Sequence, residues 1–598
     1  MKNILYSVKT WCMILLMGGL AGGFASCDDF FEPETADALS GDDYMSSITE
    51  MATGYLGILT KMQAVGDKEI YLTDTRGEML EPTDQSIAEL IALYNYDDDL
   101  TGNSYADPAG YYDVIIACND YLQNMLDFKK NYPEIVAETD YFDGLFASAI
   151  RVKAWAYMTL AEIYGQALWF DDPITSIKDV NDASIFTLLS ASEVVDKCLQ
   201  LLDNGYQGYS AEEDFSWIAW IDPSNVSTID RSNYRYWDMM TPSMFALRTK
   251  LRIWKAAFQD ARGEDATATY QALCDELQDK FKSYWASYTH YWKRCPNTPG
   301  HYSAFWNNNS PYQEEVVGAI IYDYTKNQTN KLLYHFSNEY PNAYLLTSNE
   351  IARARFTDPT IDPLGTQVQD SRLGVITKEY SGVWYISKYR PNPKNEPNKT
   401  PVRVNAYQDD VHIYTFRCSE LFLWLAEALN HMGRYKALDH VMNNGFTGDY
   451  DMLLNIENGA DSLVSASDLA EFHDFHSWWA IPTSVDRYGT YNGFRGCLTL
   501  GAVDIWDETS HTKEEAQRHN DELIANEWMF ECACEGKVYP NLIRFAERYQ
   551  DPTIVSDRVT PKYATSKTGA SVASVTQKIS AVNPNSGLKG YYVPWKLN

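Results

Sequence analysis

Three carboxylates recur at a spacing that could support acid–base chemistry. Glu527, Glu531 and Glu535 lie four residues apart, so a helix would place all three on one face. Like charges at that spacing repel by roughly a few tenths of a kcal/mol unless a cation meets them, and Arg544 is the expected partner. A glycosidase needs two carboxylates at a defined separation, and a chain with 82 acidic residues offers such pairs by chance. Nucleophile-elbow, phosphate-loop and dinucleotide motifs are absent from the sequence, so no enzyme is predicted.

Two short motifs have residue types that could hold a metal ion. His473 and His476 lie three residues apart, but no third ligand accompanies them. The acidic run 97–99 could hold calcium, yet the residues around it lack the ordered ligand spacing of a calcium loop. We therefore expect neither a metal nor another cofactor.

Aromatic side chains interleaved with polar ones suggest sugar binding. The chain has 17 Trp and 43 Tyr against 23 Phe, and rings with a polar edge suit binding surfaces. Exposed rings can stack on sugar rings, while Asp, Asn and Arg bond the hydroxyls in a concave site. Two stretches predicted to be loops, 66–110 and 284–312, supply both, although a place in the core fits any single ring equally well. The residues predicted to stack are Trp292, Trp306, Tyr302 and Tyr96, and those predicted to hydrogen-bond are Asp74, Arg76 and Asn103.

The N-terminus has the features of an exported, lipid-anchored protein. A basic start precedes the apolar run Trp11–Leu20, as in a secretory signal, and the run is short and glycine-rich for a membrane span. The residues that follow, FASC, resemble a bacterial lipobox. The thiol of Cys27 would take a diacylglycerol and its freed amine another acyl chain, and several chains give stable anchoring. Residues 1–26 are therefore predicted to be a lipoprotein signal peptide, and Cys27 the lipidated first residue of the mature protein.

The charge of the chain restricts its partners. The formal net charge is −33, and removal of residues 1–26 takes away two lysines and no acids, which leaves −35. Nucleic acid and anionic lipid head groups repel such a surface, so nucleic acid is not an expected partner.

The elements that must position these side chains are mainly amphipathic helices. Apolar residues recur at three- and four-residue spacing in six stretches before residue 285. Gly165 is expected to end one of these helices, and Gly263 to separate two that form an antiparallel hairpin. Further helices are predicted at Phe416–Met432 and Glu515–Glu535. Successive hairpins bury both faces only against neighbours, although an exact 34-residue repeat is absent from the sequence.

Several stretches together resemble the SusD/RagB family of outer-membrane nutrient-binding lipoproteins. Each motif is degenerate alone, but all of them follow the family's order across nearly the whole chain. The motifs are Cys27-Asp28-Asp29, RVKAWAYMTLAEIYGQALWF (151–170), RCSELFLWLAEALNHMG (417–433), ANEWMFECACEGKVYPNLIRF (525–545) and the closing YYVPW. The late segment departs from the family pattern at Trp528, Val538, Asn541 and Phe545, which indicates a divergent branch.

The resemblance implies a mostly α-helical fold of tetratricopeptide-like hairpins with a loop-rich ligand-binding lobe. It implies one domain over residues 27–598, with long insertions at 66–110, 284–410 and 446–510. It also implies capture of an oligosaccharide at the cell surface and delivery to a SusC-like TonB-dependent transporter in the outer membrane. A peptide-binding RagB-like protein and a helical scaffold without a small ligand are the alternatives.

Overall fold

Amphipathic helices dominate the architecture, as the apolar spacing predicts. The computed structural model describes residues 45–174, 179, 182–220, 237–286, 299–308, 315–338, 344–361, 365–389, 411–444, 493–498 and 500–595. The helices are α1 Ile48–Val65, α2 Lys68–Asp74, α3 Ala88–Tyr94, α4 Ala109–Asn131, α5 Pro133–Ala137, α6 Tyr141–Tyr164, α7 Ala191–Asn204, α8 Trp217–Trp220, α9 Met244–Ala261, α10 Thr267–Ala286, α11 Pro299–Asn308, α12 Leu332–Phe336, α13 Glu350–Thr357, α14 Leu373–Ile376, α15 Cys418–His431, α16 Tyr435–Asp439, α17 Phe494–Cys497, α18 Lys513–Cys532, α19 Val538–Tyr549, α20 Thr553–Val559 and α21 Val572–Ser580. The prediction of a mostly α-helical fold is confirmed.

Four helix pairs form a continuous array. The pairs are α1 with α4, α6 with α7, α9 with α10, and α15 with α18, and each pair also packs on the next. Local signals set their ends. The Ser47 side chain caps the first turn of α1, and α6 ends at Gly165, whose φ of 71° is the left-handed conformation expected of a C-terminal glycine. Helix α19 packs on both α9 and α18 and closes the array.

Within the described residues, short strands form five antiparallel pairs beside the helices. The pairs are β1 Leu80–Pro82 with β5 Leu346–Ser348, β2 Gln166–Trp169 with β3 Thr187–Ser190, β4 Val316–Ile320 with β10 Ile413–Arg417, β6 Thr360–Ile361 with β7 Gln367–Val368, and β8 Thr377–Tyr380 with β9 Val383–Ile386. Ser381 and Gly382 join β8 to β9 with φ values of 53° and 85°. Two positive φ values in a two-residue loop are typical of a type I′ turn, which suits the twist of a hairpin.

The two stretches predicted to be binding loops contain regular structure, so that part of the prediction is wrong. Residues 66–110 include α2, β1 and α3, and residues 284–312 include α11. In α11 the side chains of Tyr302, Phe305 and Trp306 follow the three- and four-residue spacing of one helical face, and all three are buried. The prediction of one domain over residues 27–598 stays a prediction. In the described part of the chain, every helix is too short or too polar to cross a membrane.

Candidate functional site

The glutamates at four-residue spacing lie inside the protein, in a network of charges called here the Glu531 cluster. Its members are Asp370, Glu315, Glu527, Glu531 and Glu535 with Arg372, Lys388 and Arg417, and all are buried. Arg417 donates one hydrogen bond to Glu531 at 2.6 Å and another to Glu535 at 2.7 Å. Arg372 donates to Glu527 at 2.5 Å. The expected partner Arg544 bonds Glu427 on α15 instead, so that expectation is wrong.

The predicted stacking residues Tyr302 and Trp306 pack against this cluster. The Tyr302 hydroxyl donates to the backbone carbonyl of Glu531 at 2.8 Å, and the ammonium of Lys388 lies 4.5 Å from the centre of the Trp306 ring. A stacked sugar needs an exposed ring face, whereas Tyr302 and Trp306 are 0% and 6% exposed. The structure therefore does not support ligand stacking by either ring. Both rings lie against the buried ammonium of Lys388 instead, because the face of an aromatic ring attracts positive charge.

The predicted residues from the first region are also engaged within the protein. The Arg76 guanidinium donates to the carbonyl of Gly590 at 2.6 Å and lies 3.8 Å from the ring centre of Tyr96. The Asp74 carboxylate accepts a bond from a backbone N–H, and burial raises its pKa to about 7. Asn103 donates to the carbonyl of Glu89 and accepts from two backbone N–H groups. These side chains are buried, so they hold the fold and do not present bonding groups to a ligand.

Four further residues singled out in the sequence lie outside the described residues. Trp292, the remaining candidate for stacking, and Cys27, the candidate for lipidation, both stay predictions. The same holds for His473 and His476. Within the described part of the chain, no three His, Cys, Asp or Glu side chains are arranged to hold a metal ion.

The most exposed tryptophan in the described part of the chain lies on the β8–β9 hairpin. Trp384 is 38% exposed, and the guanidinium of Arg353 lies over its ring at 4.6 Å from the centre. Arg353 is held in place by a 3.0 Å hydrogen bond to the hydroxyl of Ser348, which itself donates to the Trp384 carbonyl. The exposed residue Glu379 is the cross-strand partner of Trp384, so its carboxylate shares that face of the hairpin. We call Trp384, Glu379 and Arg353 the Trp384 surface.

A polar group without a partner lies beside this surface. Tyr344 has a φ of 54°, an uncommon value for a residue with a side chain, and its ring lies 5.8 Å from that of Tyr385. Its hydroxyl is buried and makes no hydrogen bond to any residue that the structure describes.

The Trp384 surface also carries charge. Burial lowers the pKa of Arg353 and outweighs the opposing effect of the Glu81 and Glu350 carboxylates. The Trp384 surface thus combines an aromatic ring with a carboxylate, which accepts hydrogen bonds, and a guanidinium, which donates them.

No protein-family model matches the chain, and no curated protein matches it. Solved structures do match along most of its length. A SusD homologue from Bacteroides thetaiotaomicron is 13% identical with a TM-score of 0.53, over 93% of this chain and 96% of the homologue. A SusD superfamily protein from Bacteroides vulgatus is 12% identical with a TM-score of 0.51, over 87% and 92% of the two chains. The chain has the SusD-like fold. A second B. thetaiotaomicron homologue is 16% identical with a TM-score of 0.50, over 84% and 90%.

Within this SusD-like fold, the Trp384 surface is the part that sequence reasoning missed. It lies within the long insertion predicted at 284–410, yet the sequence TKEYSGVWYI carries a hairpin signal, two short runs of strand-forming residues around Ser381-Gly382. Two residues singled out in the sequence, Trp306 and Glu535, lie in the buried charge network next to the hairpin. Lys388, two residues past β9, connects the hairpin to Trp306 and to Glu535 at 2.7 Å. Trp306, which was predicted to bind a ligand, therefore contacts the residue that follows the hairpin instead.

Proposed function

We propose that this protein is a lipid-anchored protein of the outer cell surface that captures oligosaccharides and delivers them to a SusC-like TonB-dependent transporter. The observation that carries the proposal is the SusD-like fold, which spans 93% of the chain in one of the solved structures it resembles. The lipobox-like sequence at Cys27 supports anchoring, and the glycan is proposed to stack on Trp384.

The Trp384 surface has the chemistry that a neutral sugar requires. The indole face that Arg353 does not cover would stack on the C–H groups of a sugar ring, and Glu379 and Arg353 can accept from and donate to its hydroxyls. Arg353 is also anchored by Ser348, so the ring and the guanidinium are ordered before a ligand arrives. Ordering the groups in advance lowers the entropy lost on binding. Trp292 remains a second candidate for stacking.

A glycan array followed by calorimetry on the best oligosaccharide tests this function. Trp384→Ala is expected to weaken binding by about tenfold or more, since losing a stacked aromatic anchor costs roughly 1–3 kcal/mol. Trp506→Ala is the matched control because Trp506 is a partly exposed tryptophan in the segment before α18, far from the hairpin in sequence, and stacks on His511 and His519. Full affinity in Trp384→Ala would place the site elsewhere, and Trp292→Ala is then the decisive variant. Peptide binding without glycan binding would favour the RagB-like alternative.

Anchoring and partnership are tested in cells. Radioactive palmitate should label the full-length protein but not the Cys27→Ala variant, and that variant should be lost from the outer membrane. Equal recovery of both forms in the outer membrane would contradict the anchor. Affinity purification of the wild-type protein from solubilised membranes should recover a large barrel protein, and its absence would count against a transporter partner.

A further inference from the structure

The helix that carries Arg353, α13, is fixed at its start by a buried asparagine. Asn349 precedes the helix, and its side-chain oxygen accepts hydrogen bonds from the backbone N–H groups of Ile351 at 2.9 Å and Ala352 at 3.4 Å, as an N-cap residue does. Its side-chain amide donates to Oε2 of Glu81 at 2.6 Å. Both ends of the Asn349 amide are therefore engaged, one with α13 and the other with strand β1.

Backbone bonds fix the same junction. The N–H of Asn349 donates to the carbonyl of Met79 at 2.8 Å, and its carbonyl accepts from the N–H of Arg353 at 3.1 Å, one helical turn later. Glu81 on β1 lies opposite Thr347 of β5, the strand that ends immediately before Asn349. Glu81 is thus joined to the backbone of Arg353 through a single residue, Asn349.

The Arg353 side chain is partly buried without a carboxylate in contact. Its Nη1 atom donates to the carbonyl and the hydroxyl of Ser348, and its guanidinium lies over the Trp384 ring. In the described part of the chain, no carboxylate lies within ion-pair distance of it. Burial lowers the pKa of Arg353, and the charge that opposes this effect most is that of Glu81, followed by Glu350. The guanidinium therefore depends on nearby charges that it does not touch.

Glu81 is the carboxylate through which pH can change this arrangement. It is partly buried, and burial raises its pKa above the ordinary value of 4.5. The Asn349 bond and the positive charges of Lys562 and Arg353 act to lower that pKa, whereas Glu350 adds to the rise. Lys562 is buried and donates to three backbone carbonyls, so it is held in place. Arg353 has fewer such bonds, and its guanidinium is the cation that can move.

We propose that Glu81 is a positioning residue of the Trp384 surface, which fixes the start of α13 through Asn349 and holds the Arg353 guanidinium over the indole by its negative charge. Loss of that charge in acid lets the guanidinium move into water and exposes the face of the indole that it covers. The use of this arrangement in glycan capture rests on the proposed function, in which Arg353 and Trp384 contact the sugar. The positioning itself can be measured without a glycan.

Fluorine NMR of the protein labelled with 5-fluorotryptophan tests the positioning. Trp384→Phe identifies the Trp384 resonance by its loss, and Arg353→Met gives the shift of that resonance without a guanidinium on the ring. Glu81→Ala is expected to move the Trp384 resonance toward its Arg353→Met position, while the other tryptophan resonances stay in place and show that the fold is intact. Glu89→Ala is the matched control, because Glu89 is a partly buried glutamate on α3, and it should leave the resonance unmoved. An unmoved resonance in Glu81→Ala, or an equal shift in Glu89→Ala, would overturn the proposal.

Acid titration separates the charge of Glu81 from its hydrogen bond. Glu81→Gln retains a side-chain oxygen that can accept from Asn349, so it keeps the support of α13 even if Glu81→Ala unfolds, but it lacks the charge. In the wild type, the Trp384 resonance should move on acidification with a midpoint above pH 4.5, since burial raises the pKa of Glu81 from that value. Glu81→Gln should lack this transition and show the acid position already at neutral pH. A transition that persists in Glu81→Gln would refute the role of the charge.

The other carboxylates near the ring are distinguished from Glu81 by the same titration. Glu350 lies in the first turn of α13, and the exposed Glu379 is the cross-strand partner of Trp384. Glu350→Gln and Glu379→Gln should retain the transition, and its loss in either variant would overturn the proposal. Glycan calorimetry gives a separate answer. The expected shifts without glycan binding would support the positioning and contradict only the proposed function, whereas glycan binding that depends on Trp384 without these shifts would overturn only the positioning.

Discussion

At one end of α15 and α18 lies the Glu531 cluster, and at the other end lies an open cleft whose lining includes Asp260, Tyr270 and Arg548. The helices run antiparallel, since Arg417 at the start of α15 meets Glu531 near the end of α18, while Asn430 near the end of α15 donates to the carbonyl of Gln517 in the second turn of α18. Both ends combine arginines, carboxylates and aromatic rings. The cluster is sealed, with Arg417 fully buried, whereas Asp260 in the cleft is partly exposed. The same side-chain types are thus shut off from water at one end of the two helices and partly exposed to it at the other.

Removing one arginine from each end should give the largest difference between the two ends in the free energy of unfolding. Arg417→Met is expected to lower the free energy of unfolding by roughly 3–5 kcal/mol, because it strips a shared partner from three buried carboxylates, Glu315, Glu531 and Glu535. Arg548→Met should cost less, since Glu427 keeps its pair with Arg544 and Asp260 is partly exposed, whereas buried Glu315 has no other ion pair among the described residues once Arg417 is gone. Urea unfolding of both variants measures the difference. Equal losses would contradict the distinction between a sealed and an open end.

The two ends should also respond to pH in opposite directions. Burial raises the pKa of Glu315 to about 8, above its ordinary value of 4.5, and outweighs the opposing charge of Arg417. The unfolded chain therefore releases this proton at lower pH than the folded one, so the Glu315 contribution to stability is lost as pH rises from 4.5 to 8. Burial also acts to raise the pKa of Asp521, but His431, Arg548 and Tyr549 outweigh it and hold that pKa below 3.8. Its contribution is present above pH 3.8 and is lost as pH falls.

Urea midpoints measured across pH check this prediction. Glu315→Gln should flatten the loss of stability between pH 4.5 and 8, and Asp521→Asn should flatten the loss on the acid side. Parallel pH profiles for the wild type and Glu315→Gln would show that Glu315 ionises in the folded protein at its ordinary pKa.

A substitution in the exposed ion pair at the rim of the open end should change the free energy of unfolding least. Arg518 and Glu514 form an ion pair one helical turn apart at 3.4 Å, with side chains 40% and 74% exposed. Exposed pairs of this kind contribute about 0.5 kcal/mol or less. Glu514→Ala removes this pair and keeps the contacts of Arg518 with Asp551 and Tyr549, so it should shift the urea midpoint barely at all. A loss above about 1 kcal/mol would show that the rim is as ordered as the cluster.

Helices could be predicted because their signals are local. The apolar stripe that forms α6 and the glycine that ends it at Gly165 lie within one stretch of chain. The partners of buried charges could not be predicted in this way, because they come from distant segments. Glu531 is met by Arg372 and Arg417, more than 100 residues earlier, and the chain offers 49 basic residues as candidates.

Aromatic binding residues were the hardest part of the site to predict. Composition gives the number of rings but not which side of an element faces water. Tyr302 and Trp306 were assigned to a loop, although their spacing with Phe305 already fits a buried helical face. Trp384 follows a hairpin signal that places it on a pleated surface, with one neighbour buried and the other partly exposed. Local periodicity around each ring is a better guide to exposure than the density of rings in a region.

The bond between Arg76 and the carbonyl of Gly590 spans 514 positions of the chain and has a consequence for the order of folding. During synthesis, the Arg76 guanidinium is therefore made more than 500 residues before the backbone carbonyls that accept its hydrogen bonds. The N-terminal segment therefore cannot reach its final packing before residues 590–592 exist, and closing so large a loop carries an entropic cost. A chain cut before Gly590 would lack these carbonyls and would leave the Arg76 guanidinium without them. Packing around Arg76 thus depends on residues 590–592.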